Sequence, residues 1–244
     1  MRAFGIYGTC LLFVFSAKGL KAQQNFINVP SGDVTDKKRV FFQQQINIDR
    51  NIQANSTLDY GLGKGYEIGL NLLGCTSALQ HARLVVNDTG SGNAYSPLVL
   101  VNGLKAQKLG HHFTVVGGVQ LGANYSRSHH SEGVGLFYGN VVVSELGKRE
   151  GKVVGGVYYD TQRYGGERRR MGSWMGIEVT TSKRTHLVME SIVGTASMAY
   201  TSIAFVYYPR SYLPITAGVQ IPNARQNPYS VVFELTFIPK KSLH

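Results

Sequence analysis

The chain has 244 residues, 43% hydrophobic and only 16% charged, with 29 glycines and 14 tyrosines; a soluble domain carries about 25% charged residues. Two cysteines in this length exclude a disulfide-stapled secreted fold, and no Pro- or Ser-rich linker divides what fits a single all-β domain. The +11 formal charge sits in connections rather than along a helix, and no nucleic-acid motif accompanies it, so nucleic acid is excluded as a partner.

Residues 1–22 read as a secretory signal peptide, with Arg2 as its positive start and Phe4 to Phe15 as its apolar core. Ala22 suits the cleavage position. The apolar run is shorter than the ~20 residues of a spanning helix, which disfavours an uncleaved anchor. Cys10 lies inside that core and does not mark a lipoprotein. Removing Arg2, Lys18 and Lys21 leaves 22 bases against 14 acids, a balance of +8. Nothing after Phe15 approaches ~18 consecutive apolar residues. The mature chain, residues 23–244, is therefore either a soluble exported protein or an outer-membrane barrel, the other structure that satisfies its backbone in lipid.

A short polar lead-in, residues 23–38, precedes twelve expected strands. The first is Val40 to Ile48, with Gln43 and Gln45 on its polar side. The second and third form the hairpin Leu58 to Leu72. There Leu58, Tyr60, Leu62, Tyr66, Ile68, Leu70 and Leu72 share the apolar face, and Asp59, Glu67 and Asn71 the polar one. The fourth runs between Leu98 and Lys108. The fifth, Phe113 to Asn124, carries Gln120 on its polar face. The sixth to ninth are Val134 to Val143, Val153 to Gln162 with inward Asp160, Met171 to Thr180 with inward Trp174 and Glu178, and His186 to Val193. The tenth to twelfth are Met198 to Tyr208, Ile215 to Ile221, and Tyr229 to Ile238 with inward Glu234.

Connections after strands two, four, six, eight and ten are short, and those after three, five and seven are longer. Short turns on one side and long loops on the other are the habit of outer-membrane barrels. Tyr66, Phe113, Tyr208 and Phe237 all fall at the short-turn ends, where outward aromatics would form an interfacial girdle. Cys75 falls in an expected loop as an inert thiol.

The segment Thr57-Leu-Asp-Tyr-Gly-Leu-Gly-Lys-Gly-Tyr-Glu-Ile-Gly-Leu-Asn-Leu72 resembles a hairpin of bacterial outer-membrane barrels named for the meta-pathway of phenol degradation, together with related transporter-like barrels. The resemblance is sharp over these sixteen residues and extends as a pattern over about 200. It implies an antiparallel up-and-down barrel with a transport role, and brings no catalytic residues with it.

The residues themselves carry no enzyme signature: Gly-x-Ser-x-Gly, His-Glu-x-x-His, Walker and Cys-x-x-Cys motifs are all missing. Adjacent residues on a strand point to opposite faces, poor geometry for one metal ion at His111-His112, and His129-His130 falls in an expected outer loop that could adapt, where surface histidines without a ligand are the simpler reading. No cofactor or metal is implied. The sharper signal is charge sorting. Asp59, Glu67, Asp160, Glu178 and Glu234 gather on the polar faces, with Lys105 the clearest base. Gln43, Gln45, Asn71, Gln120 and Trp174 complete the candidate lumen lining. The expectation is a narrow channel for a small solute, electronegative in its strand-borne part, in contact with outer-membrane lipid and lipopolysaccharide. The alternatives are a non-conducting structural or surface-binding barrel, its acids held in a satisfied internal network, and a soluble exported all-β binding protein.

Overall fold

A computed structural model describes residues 25–78, 81–89, 94–146, 151–166, 170–194, 197–225 and 227–238. The expected signal peptide and the bases Lys148, Arg149, Arg168, Arg169, Lys240 and Lys241 lie outside the described residues.

In chain order the strands are β1 (Val40–Ile48), β2 (Asn51–Gly63), β3 (Tyr66–Ala78), β4 (His81–Val85), β5 (Leu98–Lys108), β6 (Phe113–Asn124) and β7 (Gly133–Leu146). They continue as β8 (Gly151–Asp160), a one-turn helix α1 (Gln162–Gly165), β9 (Met171–Ser182), β10 (Thr185–Val193), β11 (Tyr200–Arg210), β12 (Leu213–Pro222) and β13 (Ser230–Phe237). Neighbours along the wall pair antiparallel, with β3 next to β5. The last strand returns to the first through Phe42↔Phe237 to Ile48↔Val231, and the sheet closes. Twelve strands make the wall. β4 is an outlying strand that folds back onto the end of β3 at Thr76↔Val85.

Alternation explains the closure. In β13, Val231, Phe233, Leu235 and Phe237 are exposed, whereas Ser230, Val232, Glu234 and Thr236 are buried. The same parity exposes Leu58, Ile68, Leu70, Val101, Val115, Met175, Phe205 and Val219 around the wall. An apolar band that encircles a barrel, with carboxylates inside it, is stable against lipid and not against water. The apolar faces therefore do not pack as a sandwich core. No helix among the described residues is long and apolar enough to cross a membrane.

One rim carries tight connections. At the β2–β3 turn Gly63, Lys64 and Gly65 all have positive φ (89°, 54° and 78°), the geometry of short hairpins that matches strand twist. At Gly65 a Cβ would also lie 2.1 Å from the Ala106 carbonyl oxygen. The opposite rim carries the β3–β5 connection with β4, the β6–β7 loop, and the β8–β9 loop with α1. The loop from β4 is pinned by Asp88, whose Oδ2 accepts from the backbone N–H groups of Arg127 and Ser128 and the hydroxyls of Ser126 and Ser128 at 2.6–3.0 Å. These donors hold its carboxyl well below the usual carboxylate range.

Four features differ from the sequence reading, the first being β4, a strand within the long connection expected after the third strand. β2 begins seven residues before Leu58, at Asn51, because Ile52 pairs with Ile48 and extends the β1 ladder through a polar stretch. The connection on the loop side is then only Asp49-Arg50, with Asp49 Oδ1 accepting the Asn51 N–H at 2.6 Å. Cys75 lies in β3, opposite Ala54, and not in a loop. The lead-in is no external tether: residues 25–38 enter the barrel.

Candidate functional site: the barrel lumen

The lumen has two unlike halves. On the β6–β13 side the inward residues include Val116, Val142, Val154, Val188, Val206 and Val232, all at most 2% exposed. Against them pack Phe26, Ile27 and Val29 of the lead-in, each buried. Apolar side chains in a barrel interior have no lipid to face, and the segment supplies the apolar partner. The β1–β5 side is lined with amides and carboxylates and keeps an open cavity.

The segment crosses from the β2–β3 turn rim to the middle of the wall. Lys38 N–H donates to the Gly61 carbonyl and Gly61 N–H to the Arg39 carbonyl, which fastens its outer end. A Cβ at Gly61 would collide with the carbonyl oxygens of Thr35 and Asp36 at 2.3 Å, so the chain enters where the wall is thinnest. Thr35 N–H donates to Glu67 Oε2 at 2.6 Å, and Asp33 pairs with Lys152. Asn140 Nδ2 donates to the Pro30 carbonyl at 3.0 Å. At the tip, Phe26 N–H bonds to the Val29 carbonyl and closes a turn.

That turn aims successive N–H groups at one carboxylate. Glu190 of β10 accepts from Ile27, Asn28 and Val29 N–H and from Asn28 Nδ2 at 2.8–3.1 Å, and from Ser202 Oγ at 3.2 Å. Consecutive amides converging on an anion form a nest, here closed on a side chain of the same protein. Glu190 is 2% exposed, so its charge is tolerated by this saturation.

Among the expected lining residues, Gln43, Gln45, Asp59, Glu67, Asn71, Asp160, Trp174, Glu178 and Glu234 all turn inward and are buried, and Gln120 is half-buried. They do not form one site. Asp59, Glu67 and Asn71 gather with Asn102, which donates to Asp59 at 2.8 Å and to Asn71 at 3.0 Å. Glu178 bonds His186 Nδ1 at 2.5 Å on the far wall. Trp174 donates to Asn140 at 2.7 Å and stacks on Tyr158 with centroids 4.8 Å apart. Inward glycines make room for this layer: a Cβ at Gly156 would lie 1.9 Å from Asn140 Oδ1, and one at Gly118 2.1 Å from the Tyr138 ring.

Of the girdle residues, Tyr66, Phe113 and Phe237 stand on the outer face. Tyr208 does not: it is 1% exposed, inside the barrel, with its ring 4.8 Å from that of His186. β11 alternates with Phe205 and Tyr207 outward, so Tyr207 occupies the outer position. The bases also exchange places. Lys105 is not lumenal; it lies over the Tyr66 ring at 3.9 Å on the outside. Lys152, expected in a connection, is the inward base, 6% exposed. Arg163, in α1, pairs with an acid of the loops. It bonds Glu132 at 3.1 Å and covers the Tyr95 ring in the loops. Glu190 and the lead-in were missed. The apolar Phe26, Ile27 and Val29 within a polar stretch were the available signal.

The remaining cavity has a volume of about 440 Å³. It lies between the segment (Asn28, Pro30, Gly32, Asp33), the inward residues of β1 to β5, and an aromatic side formed by Tyr138, Tyr164, Trp174 and Tyr200; at the loop rim it reaches Tyr95, Ser96 and Met198. Solved structures with this architecture are known. One titled "KdgM porin" aligns over 84% of this chain and 99% of its own, with 11% identity and a TM-score of 0.56. A second, titled "KdgM porin in complex with disordered oligogalacturonate", gives the same coverage and identity with a TM-score of 0.53. The fold is that of an outer-membrane porin. No protein-family model and no curated protein matches the chain. The phenol-degradation label gains no support; of what that resemblance implied, the outer-membrane barrel fold is the part observed.

Proposed function

We propose that the protein is an outer-membrane porin that admits a small polar solute from its loop rim, with the lead-in as a constriction between the cavity and the turn rim. The carrying observation is the polar cavity inside a closed barrel whose exterior is apolar. Residues 1–22 serve as the export signal and 23–244 as one barrel domain. Tyr66, Phe113, Tyr207 and Phe237 meet the lipid interface, and lipopolysaccharide contacts the exterior near the loops. Transport needs no catalytic residue and no cofactor.

The test is planar-bilayer conductance of the full mature barrel and of a variant lacking residues 25–35, each first shown to be folded by its heat-dependent gel mobility. Small unitary steps in the parent and larger ones in the deletion are expected. Folded barrels silent in both forms would overturn the channel and leave a structural barrel.

A further inference from the structure

The two long sides of the cavity differ in chemistry. One side is a run of carboxamides. Gln45 donates to Asn28 Oδ1 at 3.2 Å and to Asn47 Oδ1 at 2.9 Å, and Asn47 donates to Gln53 Oε1 at 3.3 Å. Gln53 and Asn55 continue it along β2, and the Thr57 hydroxyl follows. Each amide offers both a donor and an acceptor, the pairing that vicinal hydroxyls require. The other side presents tyrosine and tryptophan rings. Tyr138 and Trp174 meet at a centroid distance of 5.6 Å, and Tyr164 is oriented by its hydroxyl donating to Gln120 at 2.8 Å. Rings of this kind offer flat apolar faces with polar edges.

The charges that line the space are carboxylates: Asp49 towards the loop rim, and Asp59 and Glu67 at the turn end, while Asp33 is balanced by Lys152 behind it. No lysine or arginine lines it among the described residues. A polyanion entering this space would meet like charge at both ends, a juxtaposition that works against binding. The volume of about 440 Å³ lies within the ~300–1,000 Å³ of small-molecule sites.

We infer that this cavity binds an uncharged polyhydroxylated solute, a neutral saccharide held between the amide side and the aromatic side, and discriminates against polyanionic ones. This rests on the porin reading for the route of entry but not for the binding itself. It also separates the chain from a porin of similar fold solved in complex with oligogalacturonate.

Trp174 is the only tryptophan and lies on the cavity wall, so its fluorescence reports binding directly. The detergent-solubilised full barrel is titrated with maltotriose and, separately, with trigalacturonate. Saturable quenching by maltotriose is expected, with at least tenfold weaker response to trigalacturonate and at least tenfold weaker maltotriose binding in N47L/Q53L, whose barrel is checked by heat-dependent mobility. Absence of a maltotriose response, an equal or stronger response to trigalacturonate, or unchanged binding in N47L/Q53L would each overturn the inference. Quenching without bilayer current would instead defeat the channel and keep the pocket; current without quenching would do the reverse.

Discussion

Replacing Glu190 with alanine tests whether the lead-in is held by one carboxylate. The change removes the acceptor for three consecutive backbone N–H groups, for Asn28 Nδ2 and for Ser202 Oγ. Each buried donor left without an acceptor costs about 1–3 kcal/mol. Water entering the vacated space from the adjacent cavity satisfies part of this set. Two or three donors left unsatisfied, at about 1.5 kcal/mol each, cost about 3–5 kcal/mol. At 1.4 kcal/mol per decade, the docked-to-detached ratio of the tip should fall by roughly two to three and a half powers of ten. The barrel ladder is untouched, so heat-dependent mobility should not change. Hydrogen exchange at the amides of Ile27 to Val29 reads the effect, as does bilayer conductance, which should show new large openings. Amides in Glu190→Ala as protected as in the parent would refute the anchoring argument.

Gly156→Ala places a methyl group 1.9 Å from Asn140 Oδ1 and 2.6 Å from Trp174 Nε1; it should separate that pair, destabilise the barrel by about 1–3 kcal/mol and red-shift Trp174 emission, whereas unchanged emission would show the glycine is not required. Phe205→Arg, midway along β11 on the apolar exterior, should lower stability in lipid by about 2–4 kcal/mol, read by urea titration in liposomes; a loss below 0.5 kcal/mol would place Phe205 outside the hydrocarbon. The Asp88 carboxyl is depressed in the folded loop, so its stabilisation is complete above the unfolded value of about 3.9 and fades as pH falls below that towards the folded value. Exchange protection at the Arg127 and Ser128 amides should decline over that acidic range in the parent but stay low and flat in Asp88→Asn; parallel profiles would contradict the assignment.

The exterior was legible because lipid imposes one demand on every strand. Leu58 to Leu72 alternates throughout and Tyr229 to Phe237 does so except at inward Val232, and the facing of these strands follows from them. The interior was less so, because a lumen accepts any residue whose partner arrives from elsewhere. Val154, Val188 and Val206 face inward only because Phe26, Ile27 and Val29 cover them, a pairing that no local window contains. Tyr208 illustrates parity: one position separates it from outward Tyr207, and the stretch from Phe205 to Tyr208 has no polar residue to fix the phase. Asn51 to Thr57 reads as a loop by composition and is made strand by its partner, β1.

The placement of the lead-in also dictates an order of assembly. Its contacts span long stretches of chain: Ile27 to Glu190 across 163 residues and Pro30 to Asn140 across 110. Such pairings form only after the intervening strands have aligned, since distant contacts carry the greatest closure entropy. The first part of the domain in sequence is therefore among the last to settle, docking only once β10 is in place, with the β1–β13 closure at Phe42↔Phe237 the one pairing that spans more chain. Interactions made so late are absent from the rate-limiting barrier. Substitutions in the tip should leave the rate of barrel insertion unchanged and accelerate only release of the segment. The lumen can thus be retuned by mutation without slowing the folding of the wall that surrounds it.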